Sequence, residues 1–164
     1  MHNHQNGVNL LDLLVVLALL ALLMGVAFPG YQALQEKQRQ AAELNRLQAI
    51  LQLTRTLATL HQQELTLCLT QNAQNCSSSQ LGADLLLVNQ ALQPLRHFPG
   101  HETQIAFPDH DITLQPLPHR SSGGTLLPCS GFTQQPARAI TFSVTGRPRI
   151  NNDPPSSLVN RCPP

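Results

Sequence analysis

The sequence has no tryptophan, one tyrosine and five phenylalanines among 164 residues. A core with so few large rings must be aliphatic, and a surface with so few offers little for a nucleobase to stack on. Charge is scarce too: Asp, Glu, Lys and Arg make up 12% of the chain and the net charge is +1. That balance provides no global field to recruit nucleic acid or an acidic partner. There is no Cys-x-x-Cys spacing, which argues against the common zinc and thioredoxin-like sites. From Tyr31 to Gln93 the chain contains neither Gly nor Pro except Gly82, so a helix beginning there meets no early breaker. Twelve of the 13 prolines follow residue 90, which excludes long helices from the second half.

Catalytic chemistry is absent in the same way. In Asp109-His110-Asp111, neighbouring residues on an extended segment point to opposite faces, which is poor geometry for a metal. His61-Gln62-Gln63-Glu64 is not the paired-histidine motif of a metalloprotease. His97, His101 and His119 sit among prolines with no partner at ligand spacing, and His2 and His4 lie in the first seven residues. The four cysteines form an even set, Cys68, Cys76, Cys129 and Cys162, so pairing takes precedence over a thiol nucleophile. The chain reads as a non-enzyme without cofactor or metal.

What is present is one long apolar run, Val8 to Phe28, in which only Asn9 and Asp12 are polar. About 20 such residues in a helix cross a bilayer, so 8–29 is expected to be a transmembrane helix, with Pro29 a kink or break just past the run. Residues 30–62 continue in Ala, Leu, Gln, Glu and Arg. Leu34, Ala41, Leu44, Leu47, Ile50, Leu51, Leu57 and Leu60 fall at three- and four-residue steps on one apolar face. The second half of this helix is expected to pack on its own domain. Residues 63–164 read as a small antiparallel β domain. Strands are expected at Glu64–Thr70, Gln104–Phe107, Ile112–Gln115, Thr125–Pro128 and Arg138–Val144, with a turn at Gly123-Gly124. Asp84–Gln93 is open between a short helix capped by Asp84 and a buried strand. The fold class is therefore α+β.

The cysteines all lie beyond the apolar run, and paired disulfides place that part in an oxidising compartment. Lys37 and Arg39 just past the run would by charge alone draw the C-terminal part into the cytoplasm, and the cysteines outweigh them. Four cysteines allow three connectivities. The expected one is Cys68–Cys76 across a short turn and Cys129–Cys162 tying the proline-rich tail back to the last strand.

The start of the chain resembles the prepilin processing motif. Gly7-Val8-Asn9-Leu10-Leu11-Asp12 has a glycine, an apolar residue and, a few residues on, an acid, after the polar leader 1–7. The resemblance implies cleavage by a prepilin peptidase between Gly7 and Val8, methylation of the new N-terminus, and pairing of Asp12 with such a terminus inside a filament. Val8 stands where the family has phenylalanine and Asp12 where it has glutamate. The alternative is a signal peptide cut near Gly25-Val26-Ala27, which would release a secreted disulfide-bonded binding domain. It is disfavoured by the lack of a basic leader and by Asp12 within the run.

The helix leading into LQLTRTLATLHQQELTLCLT is similar to that of the FimT/GspH group of minor pilins and pseudopilins. Ala139–Ile150 resembles the strand and G-R-x-R motif of the FimT branch, matched at Gly146, Arg147 and Arg149 with Pro148 in the variable place. The resemblance implies a pilin-like fold and a single pass through the bacterial inner membrane, with a periplasmic domain. It also implies partnership with other pilins or pseudopilins, in a type IV pilus or a type II secretion pseudopilus. For the FimT branch it further implies DNA binding for uptake through Arg147 and Arg149, with Arg138 and Arg161 as additional basic candidates. A GspH-type pseudopilin acting in secretion without DNA is the alternative.

Overall fold

The computed structural model describes residues 10–100, 103–116, 120–129 and 137–163. The expected processing site at Gly7 and Val8 lies outside these residues, as do His2, His4, His101 and His119. The chain divides into two compact units, Met1–Glu36 and Lys37–Pro164.

One helix, α1 (Leu10–His61), contributes to both units, and it bends at the stretch that holds Pro29, between the pieces Leu10–Gly25 and Gly30–His61, as the expected kink requires. In the first unit Leu10, Leu11, Leu13, Leu14 and the aliphatic residues through Met24 are exposed, and so is Asp12. No single straight helix among the described residues is long and apolar enough to cross a membrane alone. The pieces Leu10–Gly25 and Gly30–His61 meet that test only together.

In the second unit the helix packs on the β structure through Gln40, Glu43, Leu44, Leu47, Ile50, Leu51, Thr54 and Ala58. The spacing is helical, but the stripe is not wholly the expected one. Ala41 is exposed and Leu60 is 72% exposed, while polar Gln40, Glu43 and Thr54 are inside. Two of the polar members have partners close at hand: Thr54 Oγ1 donates to the Ile50 carbonyl at 2.8 Å and Glu43 pairs with Arg46 at 3.1 Å, whereas Gln40 Nε2 is buried with no hydrogen-bond partner among the described residues. The helix ends in a left-handed residue, Gln62 (φ 51°), with the Gln63 amide reaching back to the Ala58 carbonyl. That bond satisfies one of the orphan carbonyls at the C-terminus.

Two antiparallel sheets follow. The first comprises β1 (Leu65–Thr70), β3 (Asp84–Asn89), β4 (Pro94–Phe98) and β6 (Ile112–Leu114), in the order β4-β3-β1-β6. The second comprises β2 (Leu81–Gly82), β5 (Ile105–Ala106), β7 (Gly124–Pro128), β8 (Ala139–Phe142) and β9 (Pro148–Asn151), in the order β2-β5-β7-β8-β9. A short helix, α2 (Ser156–Val159), closes the tail. The ambiguous segment is thus a strand, whose four central residues, Leu85–Val88, are buried on both faces. Gly124 opens β7 instead of forming a turn with Gly123. Strand β4 was not anticipated, because its first residue is a proline; at the start of an edge strand a proline breaks no ladder.

Alternation along the strands sorts the side chains. Leu65, Leu67, Leu69, Leu85, Leu87, Ile112, Leu114, Leu126, Ile140 and Phe142 join Leu44, Leu47, Leu51 and Ala58 in one aliphatic core. Each fully buried Leu contributes about 1.5–3 kcal/mol relative to exposure. Cys68, Leu86 and Val88 face the other way and pack with Cys76. Both expected disulfides are formed, Cys68–Cys76 and Cys129–Cys162. The second pins α2 against Ala106, Leu127 and Ala139 in a separate small cluster.

Candidate functional site

Two of the four arginines singled out in the sequence, Arg147 and Arg149, lie on the hairpin β8–β9, at one edge of the second sheet. Its loop is Val144-Thr145-Gly146. The Gly146 amide donates to the Ser143 carbonyl at 2.7 Å and the Ser143 amide to the Arg147 carbonyl at 3.4 Å. This is the three-residue hairpin in which a tight turn is followed by a left-handed residue, and Gly146 (φ 74°) fills that place. Gly146 is buried, and a Cβ on it would lie 2.5 Å from the Arg55 guanidinium of α1. The glycine of the motif is therefore favoured by the left-handed turn, and any larger residue there would also displace the Arg55 guanidinium.

The register sets Arg149 opposite Thr141, and the Ser143–Arg147 bond extends the same ladder, so Arg147 and Arg149 share one face. Both are exposed, and no ion pair holds either among the described residues. Thr125 and Thr141 stand in the same cross-strand row as Arg149, their hydroxyls 3.1 Å apart. Arg138 and Arg161 are placed elsewhere. Arg138 precedes β8 on the opposite face by alternation, and its Nε donates to Asn152 Oδ1 at 3.1 Å. Arg161 donates to the Phe107 carbonyl at 2.7 Å and to Asp109 at 2.6 Å, so its guanidinium braces the tail against the β5–β6 connection. The neighbouring His110 bonds the Gly123 carbonyl at 2.8 Å. The four basic candidates thus resolve into one exposed pair and two that are engaged within the chain.

A second region was not legible beforehand. Between the C-terminal end of α1 and the edge strand β4 lies a cleft of about 330 Å³, lined by Leu57, His61, Gln63, Leu65, Leu95 and Arg96. Arg96 also lies over the Phe98 ring, 5.5 Å from its centre. The hairpin β3–β4 next to it repeats the backbone of the first: the Leu92 amide donates to the Asn89 carbonyl at 2.9 Å, and the Asn89 amide to the Gln93 carbonyl at 3.1 Å. Here the left-handed place holds a leucine, Leu92 (φ 57°), whose side chain is 70% exposed. Sequence reasoning had no signal for it, because that position ordinarily announces itself with Gly or Asn.

The open end of the same hairpin is held by Asp84. Its Oδ1 accepts the Gly100 amide at 2.7 Å and its Oδ2 pairs with His97 Nε2 at 3.0 Å. The Gly100 amide, with smaller help from His97, holds the Asp84 carboxyl below the ordinary carboxylate value, against the opposing effect of partial burial.

Comparison with known proteins bears on both the helix and the sheets. The family model described as Type II transport protein GspH matches residues 43–146, more than half of the chain. The chain belongs to the GspH family. GspH proteins are structural rather than catalytic, and the minor pilin or pseudopilin reading of the sequence is of the same kind. The matched stretch begins at the buried Glu43 of α1 and ends at the turn glycine Gly146, so it takes in most of the packed unit. A search of curated proteins finds no match. Among solved structures, the type IV minor pilin FimU of Pseudomonas aeruginosa is similar in one crystal form with a TM-score of 0.55 and 19% identity, over 76% of this chain and 94% of that one. A second crystal form of FimU gives 0.49 and 20%, over 73% and 94%. The fold of this GspH-family chain is accordingly that of a minor pilin, a long helix followed by antiparallel sheets.

Proposed function

We propose that this chain is a minor pilin or pseudopilin, held in the bacterial inner membrane by the first part of α1 and carrying its β unit in the periplasm until the helix enters a filament. The observation that carries the reading is α1 itself. From Leu13 to Met24 its first stretch bares an unbroken aliphatic surface, whereas its second half buries a stripe in the β unit. An exposed apolar helix requires lipid or other helices around it, and Asp12 in such surroundings requires a partner charge. Prepilin peptidase is the expected processing partner and other pilins or pseudopilins the expected assembly partners.

Mass spectrometry of the protein from its native host tests this. The expected mature chain begins at Val8 with a methylated N-terminus, and Gly7→Val blocks its formation. Asp12→Ala leaves cleavage intact and lowers recovery in sheared filaments. A mature chain beginning at Phe28 would overturn the reading, since it lacks the exposed apolar stretch of α1.

A second role is favoured by the exposed pair Arg147 and Arg149 on one face of an edge strand. We infer that they contact the backbone of DNA, without base selection because stacking rings are scarce. Two phosphate contacts give roughly a tenfold loss of affinity between 50 and 200 mM salt. Titration of the full chain in detergent with labelled DNA should show this salt dependence, reduced in Arg147→Gln with Arg149→Gln. Equal binding by the double variant would make the motif a structural turn only, and the plain pseudopilin reading would stand.

A further inference from the structure

The cleft beside β4 and the leucine at its neighbouring hairpin lie outside both proposed roles. We propose that together they form a docking surface for another protein of the filament, whose contacting segment carries an apolar side chain next to a carboxylate. The inference rests on the filament reading and names the chemistry of one partner.

Several observations converge on this end of the β unit. Of the five large hydrophobic residues exposed in the packed unit, among the described residues, Leu60 and Leu95 lie on segments that line the cleft, the end of α1 and β4, and Leu92 lies in the loop leading into β4; the other two, Val144 and Ile150, lie on the β8–β9 hairpin. Exposed apolar groups gathered at one place mark an interaction surface more often than scattered ones do. Two of the three non-glycine residues with left-handed backbone, Gln62 and Leu92, lie on those same segments. A bulky residue in that conformation is unfavourable, and such strain gathers where a surface is shaped for binding. Leu57, Leu65 and Leu95 supply the apolar lining of the cleft, and a volume of about 330 Å³ has room for one large apolar side chain or two small ones.

Charge selects the occupant. Arg96 and His61 stand at the rim, and no acid lines the cleft among the described residues. The nearest carboxylate in sequence, Glu64, accepts the Gln115 amide at 2.7 Å and is turned to that contact. Arg96 is a permanent cation whose ring contact with Phe98 leaves its planar edge suited to a carboxylate. A second copy pairing through β4 centred on Arg96 would oppose arginine to arginine, which disfavours self-pairing in that register. Pro94 and the irregular register between Leu87 and Val88 blunt the edge against indiscriminate strand addition. Side-chain insertion is therefore the mode proposed.

The test uses the full chain in its native host, with a benzophenone amino acid placed at position 95. Irradiation should link it to a second polypeptide, and the cross-linked peptide should carry an acid beside an apolar residue. Arg96→Glu should cut the yield at least tenfold, and reversing the partner's acid to arginine should restore it. Leu92→Gly should lower the yield several-fold while raising the unfolding midpoint, an opposition that a merely structural leucine would not produce. Adducts confined to lipid, to a second copy or to the same chain would overturn the proposal, as would indifference to Arg96→Glu. Recovery in sheared filaments is measured on the same cells. A chain that enters filaments without forming the adduct sinks this inference alone. A chain absent from filaments that still forms the charge-swappable adduct sinks the filament reading alone.

Discussion

The two edge hairpins have the same backbone and opposite chemistry. Both close with three-residue loops whose last member is left-handed, Gly146 in β8–β9 and Leu92 in β3–β4. Glycine is the residue that conformation favours, and here it is also buried beneath Arg55. Leucine is disfavoured there, and it points largely into solvent. The first hairpin is thus shaped by the fold that supports it. The second keeps a local conflict that folding alone gives no reason to keep, and conflicts of this kind are expected where a surface serves something else.

Four variants sharpen that contrast. The largest effect is expected from Gly146→Val, which forces a β-branched residue into the left-handed region at a buried site. A loss of about 2–3 kcal/mol is expected, read by denaturant unfolding. Leu92→Gly at the equivalent place should act with the opposite sign. The left-handed penalty of about 1–2 kcal/mol disappears and glycine's unfolded-state entropy offsets about 0.4–1 of it, leaving a net gain in stability. If both changes destabilise, the two loops are not equivalent and the comparison fails.

A smaller effect concerns the open end of β3–β4. The Asp84 carboxyl titrates below its ordinary value in the folded chain, so its contribution is full above the unfolded carboxylate value. That contribution fades as pH falls through the lower folded value, that is, below about pH 4. Asp84→Asn should remove this part of the acid sensitivity and lower stability at neutral pH by less than about 1 kcal/mol, the pair with His97 being partly solvated. Thermal melts of both proteins between pH 2.5 and 7 would show the two curves converging at the acid end. The smallest stability change belongs to Arg147→Gln with Arg149→Gln, within about 0.5 kcal/mol because both side chains are exposed. Any larger loss would mean that this hairpin, too, relies on its arginines for folding.

Much of the β unit was legible. The strands at 64–70, 112–115, 125–128 and 138–144 announce themselves through alternation, and both cysteine pairs close as expected. The helix was legible in extent but less so in orientation. Leu60 lies two residues past Ala58, about 200° round the helix, and leaves the buried stripe, whereas Thr54 enters it by donating to its own backbone. The two-residue β2 carries too short a pattern to read, although the equally short β5 lies within the expected 104–107, and β4 hides behind its proline. On the surface, Arg147 and Arg149 stood out through a motif. Arg138 and Arg161 looked equivalent until register and the Asp109 pairing separated them. Leu92 and the cleft could not be found at all, since a backbone angle that contradicts its residue type leaves no trace in the sequence.

Neither disulfide includes a residue of α1. A pull applied along the helix is therefore resisted by side-chain packing and hydrogen bonds, not by covalent cross-links. Once α1 peels away from the β unit, the bridges between residues separated by 8 and by 33 positions become mechanical stops. They keep on the order of 130 Å of contour length from paying out, at about 3.3 Å per extended residue. A strained subunit would lengthen through its helix and the middle of its chain, while the turn after β1 and the span from the end of β7 through the arginine hairpin to the tail stay tethered.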